Sequence, residues 1–334
     1  MTDILIVGAG MSGLMAAGSL DDHGYDILIV DKGRSIGGRM ATRWIGPGYA
    51  DHGAQFFTVR EAAFQKYVDR WQADGVVYIW GMGFSQSSTD PEPTDGHPRY
   101  VVQGGMNLLP KHIAKGFSER VRIRASVQAN AVIQQDDGWL VTDESGETHT
   151  ARALILTPPV PQTLALLDEG GVTLAADERA ALDKIAYAPC LCGLFWVRGK
   201  VELPAPGAVQ RPEATFTWIA DNQRKGISPE ATILTVHAGR EWSQEHFDDD
   251  PQKTLEALWR AVQAECAGEP EMVESQLKKW RYSRPLTTYP ARTLMAEGLP
   301  PLAFAGDAFG EPRVEGASLS GLAAADALHT ALTG

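Results

Sequence analysis

The stretch that most constrains this chain is its first thirty-one residues. An apolar run, DILIVG from Asp3 to Gly8, leads into Gly8-x-Gly10-x-x-Gly13. Leu14, Ala17 and Leu20 follow at helical spacing, with a stop near Gly24 and a second apolar run from Ile27 to Val30 that ends in Asp31. The order reads strand, helix, strand. A helical crossover makes the two strands parallel, and parallel strands are covered on both faces, so both runs are continuously apolar instead of alternating. Gly8 permits a tight turn, Gly10 lets the backbone approach a pyrophosphate, and Gly13 lets helix and strand pack closely. Met11 and Ser12 open the helix, whose free N–H groups favour an anion. Asp31 can accept hydrogen bonds from a ribose diol, and its charge opposes a 2′-phosphate; Lys32 follows it. An adenine dinucleotide is the expected ligand, NAD or FAD.

The 334 residues suggest about two domains. Thirty basic against 42 acidic residues give a net charge of -12, which disfavours nucleic acid and anionic membranes as partners. Cys190, Cys192 and Cys266 are an odd number without C-x-x-C spacing, which suits a reducing cytosol and points to neither disulfides nor zinc. The eight histidines are scattered, so no metal is expected. With no basic n-region and no apolar run long enough to span a bilayer, a cytoplasmic protein is expected.

Further along, a helix is expected over about Glu61 to Gln72, a surface loop over 85–98, and a helix after the GGMN of 104–107. Short strands occupy 121–156. The Pro-rich segment Thr157–Pro161 reads as a domain crossing. Strand patterns return over 185–242, interrupted by a loop from Gly199 to Glu213, and Asp250-Pro251 reads as cap and first residue of an amphipathic helix. The tail shows a short strand (LAFAG, 302–306), a glycine-containing loop and a small-residue helix from about Ser318 to Leu332.

Gly37-Gly38-Arg39, Gly104-Gly105-Met106, and Gly306-Asp307 followed by Arg313-Val314-Glu315-Gly316-Ala317 resemble the flavin-containing amine oxidase superfamily. Within it the chain is most similar to the renalase family, its bacterial form in particular, through GGRMATR (37–43), ADHGAQFFT (50–58), KWRYSRP (279–285) and GDAFGEPRVEGASLSG (306–321). The resemblance favours FAD over NAD, because an NAD enzyme does not need the distant C-terminal element. It implies a Rossmann-type α/β FAD-binding domain with a parallel sheet and an inserted α+β substrate domain with a mixed or antiparallel sheet. The expected division is 1–57, 101–159 and 285–334 for FAD, and 58–100 with 160–284 for substrate. The oligomeric state stays open between monomer and homodimer.

The resemblance further implies an oxidase of 2-dihydro and 6-dihydro isomers of NAD(P)H, giving NAD(P)+ and passing electrons to O2 as H2O2. Amine oxidation by the same fold and a non-catalytic flavin module are the alternatives. Hydride loss from a dihydropyridine yields an aromatic ring directly, so no general base is required. FAD is expected to be non-covalent, since Cys266 lies far upstream of Gly306. Its expected contacts are Gly8, Gly10, Met11, Ser12, Gly13, Asp31, Lys32, Gly38, Arg39, Met40, Ala54, Gln55, Phe56, Val127, Thr157, Gly306, Asp307, Val314, Glu315, Gly316, Ala317 and Ser320. Arg39 is expected to oppose the pyrophosphate and Glu315 to turn away or meet Arg313. Trp280 and Tyr282, alternate residues of one strand, are expected to wall the substrate, with His237 and Trp242 as second candidates. Asp51-His52 mimics a catalytic dyad, but neighbours on an extended chain face opposite ways.

Overall fold

The computed structural model describes residues 1–86 and 96–334; most of the loop expected over 85–98 lies outside them. In chain order the elements begin β1 (Thr2–Val7), α1 (Met11–Asp22), β2 (Ile27–Asp31), β3 (Thr42–Ile45), β4 (Gly48–Asp51), α2 (Ala62–Ala73), β5 (Val77–Gly81), β6 (Arg99–Val102) and α3 (Leu108–Lys115). They continue with β7 (Val121–Ala125), β8 (Ala129–Gln135), β9 (Gly138–Asp143), β10 (Thr148–Leu156), α4 (Val160–Glu169), α5 (Ala176–Asp183), β11 (Tyr187–Arg198), β12 (Ala208–Gln210), β13 (Phe216–Asp221) and β14 (Thr232–Ala238). The remainder is α6 (Arg240–Glu245), α7 (Pro251–Glu265), β15 (Glu271–Pro285), β16 (Leu294–Met295), β17 (Leu302–Phe304) and α8 (Arg313–Thr333).

The chain divides into two compact units: Met1–Arg39, Leu109–Tyr187 and Arg284–Gly334 form one, and Met40–Leu108 with Ala188–Ser283 the other. These bounds differ from those drawn on the sequence, since 40–57 and 101–108 fall in the second unit and 160–187 in the first.

The first unit is built on a sheet of order β16-β17-β10-β1-β2-β7, parallel from β17 to β7, with the β8–β9 hairpin attached through β10. Ile4, Ile6, Ile27 and Ile29 pack on one face with Leu14, Ala17 and Leu20 of α1 and with Ala324 and Leu328 of α8. Leu5, Val7, Leu28 and Val30 pack on the other with Leu164 and Leu167 of α4. Burial on both faces is the physical cause of the unbroken apolar runs. The Pro-rich segment is a helix start instead of a crossing: Pro159 precedes α4 and Pro161 sits in its first turn, where a missing N–H costs nothing. The last helix begins at Arg313, ahead of the expected Ser318. Gly316 lies inside this helix, and glycine suits the position because a Cβ there would lie 1.7 Å from the Glu311 carbonyl oxygen. Gly321 likewise lets α8 approach α1, its Cβ position being 2.1 Å from the Ser12 carbonyl oxygen.

The second unit centres on a five-stranded sheet of order β12-β13-β14-β11-β15. Its side chains alternate between two faces. Leu191, Phe195, Leu234, Val236 and Ala238 pack against Leu255, Leu258 and Val262 of α7. Cys192, Leu194 and Ile233 pack against Ile45 and Ala50 of the β3–β4 hairpin. Helix α7 starts as expected: Asp250 Oδ1 accepts from the N–H groups of Gln252 and Lys253, with Pro251 first in the helix. Among the described residues no helix is long and apolar enough to cross a membrane.

Candidate functional site

In the first unit, β1 delivers the chain to the glycine turn and α1 leaves it. Gly8 has φ +104, and a Cβ there would lie 2.3 Å from Thr157 Oγ1, which itself donates to the carbonyl oxygens of Val7 and Gly8. A Cβ on Gly13 would lie 2.0 Å from the Gly8 carbonyl oxygen, whereas Gly10 faces open space. The start of α1 has no side-chain cap, and the buried Ser12 Oγ has no hydrogen-bond partner among the described residues. An open, uncapped helix start with an orphaned hydroxyl fits a bound phosphate. Asp31 accepts from Ala9 N–H (2.7 Å) and Gly33 N–H (2.6 Å), so each carboxylate oxygen retains a lone pair for a ribose hydroxyl. Val127 N–H bonds the Asp31 carbonyl, and Lys32 is exposed nearby.

The C-terminal elements of this unit close on the same sheet. Gly306 N–H donates to the buried Ser320 Oγ (2.8 Å), tying the end of β17 to α8. Val314, Glu315 and Gly316 are buried in the first turn of that helix, with Ala317 partly so. Both terminal nitrogens of Arg39 bond Asp307, at 2.7 Å each, which ties two of the expected cofactor residues together across 268 residues of sequence. Gly38, beside it, has φ +56 and abuts Gly10.

In the second unit the Asp51-His52 pair does face two ways. Asp51 is fully buried; its Oδ2 meets Lys225 Nζ at 2.6 Å, and its Oδ1 accepts from Met106 N–H and Thr42 Oγ1. The Asp51 carbonyl accepts from Gln55 Nε2 and Thr235 Oγ1. Lys225 also lies over the Trp80 ring, 5.4 Å from its centroid. His52 turns to Trp280 instead: the rings stack at 5.3 Å, and Trp280 Nε1–H donates to the His52 carbonyl (2.7 Å). The ring of His237 lies close to the His52 backbone, and its buried Nε2 has no partner among the described residues. Burial, reinforced by the Lys225 charge, lowers the His237 pKa to about 4. Burial, with Lys278, His237 and Arg43 nearby, lowers that of His52 to about 3. His52 Nδ1 is likewise buried without a partner. Two neutral imidazoles, one of them stacked on an indole, thus leave unmatched hydrogen-bonding atoms that a water or a polar ligand would satisfy.

The other expected residues distribute unevenly. Tyr282 lies two residues beyond Trp280 on the same side of β15. Gln55 is buried, with Nε2 bonded to Asp51 and Gly53 and Oε1 accepting from Trp218 Nε1, so its amide is committed inside the unit. Phe56 packs on Phe84 and Trp218; Ala54 is partly exposed and Met40 is buried. Trp242 is not brought to the others. It sits on α6 against Phe216 and His246 and joins the cluster on the α7 side of the sheet, the face opposite His237. Lys225 was missed altogether: in Asn222-Gln223-Arg224-Lys225-Gly226 it reads as a solvated turn, and only its partner 174 residues away marks it. Asp143, Glu147 and His149 cluster in the first unit, but Asp143 is bonded by Ser145 and the Glu147 N–H, and Glu147 pairs with Arg124, which makes the group a hairpin clasp.

Residues 79–329 match the flavin containing amine oxidoreductase family, and residues 6–71 match the NAD(P)-binding Rossmann-like domain. The chain belongs to the flavin containing amine oxidoreductase family, and its cofactor is non-covalent FAD. It is 24% identical over 302 residues to renalase from Mus musculus, covering 85% of each chain. It is 28% identical over 272 residues to a rifampicin monooxygenase from Rhodococcus hoagii, covering 72% of this chain and 53% of that one. The structure of a putrescine oxidase bound to putrescine superposes with a TM-score of 0.71 at 14% identity, covering 98% of this chain and 99% of the other, which supports the shared fold.

Proposed function

We propose that this protein oxidises 2-dihydro and 6-dihydro isomers of NAD(P)H to NAD(P)+. Bound FAD would supply the hydride acceptor and pass the electron pair to O2, yielding H2O2. In this reading the first unit binds FAD through the turn of Gly8, Gly10, Met11, Ser12 and Gly13, through Asp31, and through the segments around Gly306 and Val314–Ser320. The N-terminal turn of α8 offers backbone N–H groups where negative charge accumulates. The second unit recognises the substrate.

The observation that carries the reading is the unpartnered pair His52 Nδ1 and His237 Nε2 beside Trp280. A dihydronicotinamide is planar and uncharged, and its carboxamide, both donor and acceptor, can hydrogen-bond the unpartnered His237 Nε2. Trp280 and Tyr282 offer the flat wall that holds the ring in one orientation. None of these residues needs to remove a proton, in keeping with a reaction that aromatises the ring on hydride loss. The resemblance to renalase over most of the chain agrees. Oxidation of an alkylammonium is disfavoured by the cations Lys278 and Arg43 close to His52. The buried free thiols accord with a cytoplasmic site of action.

The test is product analysis. The FAD-loaded enzyme is expected to convert 6-dihydro-NAD to NAD+ with one H2O2 per turnover and to be slow with the ordinary 4-dihydro form. Turnover of primary amines alone would refute the proposal.

A further inference from the structure

Strand β15 runs beside the β3–β4 hairpin with a readable register. Gly46 N–H donates to Glu274, and Gln276 Nε2 donates to the Trp44 carbonyl. Each step of two back along the hairpin matches a step of two forward along β15, so the next level brings Lys278 beside Thr42 and Arg43. Thr42 pairs across the hairpin with Asp51, and His52 N–H bonds the Ala41 carbonyl. Lys278 and Trp280 share one side of β15, and Trp280 stacks on His52. Two cations therefore stand at the edge of the His52–Trp280 wall. Among the described residues neither Arg43 nor Lys278 takes part in an ion pair, although the protein carries a net charge of -12. The carboxylate of Glu274, on the same side of β15, is already bonded to Gly46 N–H and Gln276 Nε2. Lys278 is partly buried, and both burial and the Arg43 charge lower its pKa, so the two cations feel each other without a neutralising acid. Like charges held together unpaired are an arrangement that an anion stabilises.

We propose that Arg43 and Lys278 form an anion subsite that takes the diphosphate bridge of a dinucleotide substrate whose nicotinamide end rests on Trp280. The inference builds on the oxidase reading above and adds that the enzyme selects dinucleotides over nucleosides. A diphosphate offers two charged groups, which suits one guanidinium fork and one ammonium.

Two measurements on the FAD-loaded enzyme test it, using wild type, Arg43→Gln and Lys278→Gln. Calorimetric titration with inorganic pyrophosphate should show binding to wild type and about tenfold weaker binding to each variant. In steady-state assays the preference for 6-dihydro-NAD over 6-dihydronicotinamide riboside should fall about tenfold in each variant, through KM for the dinucleotide. Unchanged pyrophosphate binding in both variants, or equal losses on dinucleotide and riboside, would overturn the subsite. If pyrophosphate binding falls as expected while neither dihydro substrate is oxidised by wild type, the subsite stands and the oxidase reading fails.

Discussion

Lys225→Met breaks the one ion pair among the described residues of the second unit whose two side chains are both fully buried, 0% and 0% exposed. Methionine matches the length of the lysine stem but leaves the Asp51 carboxylate facing an apolar group. Removing one partner of a buried pair costs about 3–5 kcal/mol because the other charge stays buried and uncompensated. Thr42 Oγ1 and Met106 N–H still bond Asp51 Oδ1, which favours the lower end, while loss of the contact with Trp80 adds about 1 kcal/mol. A destabilisation of about 4 kcal/mol is thus expected, a large share of the total for a folded domain. For a chain of this size it should lower Tm by about 6 °C. The double variant Lys225→Met/Asp51→Asn removes both charges and should recover most of the loss, as a neutral core at such a site commonly does. Urea unfolding and thermal melts of the FAD-loaded proteins measure both values. If Lys225→Met unfolds within about 1 kcal/mol of wild type, the pair is not what holds the Asp51–His52 segment, and the reasoning fails.

Further expectations follow from other contacts. Gly13→Ala forces a methyl to within 2.0 Å of the Gly8 carbonyl oxygen, so the purified variant should retain little FAD; flavin content per chain after gel filtration at wild-type levels would contradict the fit argued for this turn. His52 and His237 are buried neutral with pKa values of about 3 and about 4, below the ordinary value of about 6.5. Their stabilising contribution is complete above the unfolded pKa and is lost as pH falls through the folded values, at up to about 1.4 kcal/mol per pH unit for each. Urea midpoints should therefore drop between about pH 6.5 and about pH 4.5, and a His52→Gln/His237→Gln variant should flatten that slope. Trp242→Phe should cost about 1–2 kcal/mol of stability through lost packing against Phe216 while changing KM for 6-dihydro-NAD less than Trp280→Ala does; equal effects in KM would return Trp242 to the substrate wall.

The dinucleotide turn was legible because its chemistry is local. Gly8, Gly10, Gly13 and Asp31 fall within one strand–helix–strand unit, and Gly13 is restricted by the Gly8 carbonyl five residues before it, although Gly8 itself also meets the distant Thr157. What escaped depended on partners distant in sequence. The pairing of Arg39 with Asp307 is one such contact, since only the folded chain brings the two together. Lys225 carries no local sign of burial, since a charged turn after a strand ordinarily meets water. Trp242 follows His237 closely, yet a period of two along β14 and the start of α6 put them on opposite faces of the sheet, a distinction that aromatic composition does not carry.

The most direct measurement is anaerobic rapid mixing of the FAD-loaded protein with 6-dihydro-NAD and, separately, with benzylamine, following flavin absorbance. The account predicts rapid, complete loss of the oxidised flavin band with the dihydro isomer, NAD+ as the product, and no reduction by the amine. Flavin that stays oxidised with the dihydro isomer and bleaches with benzylamine would contradict it.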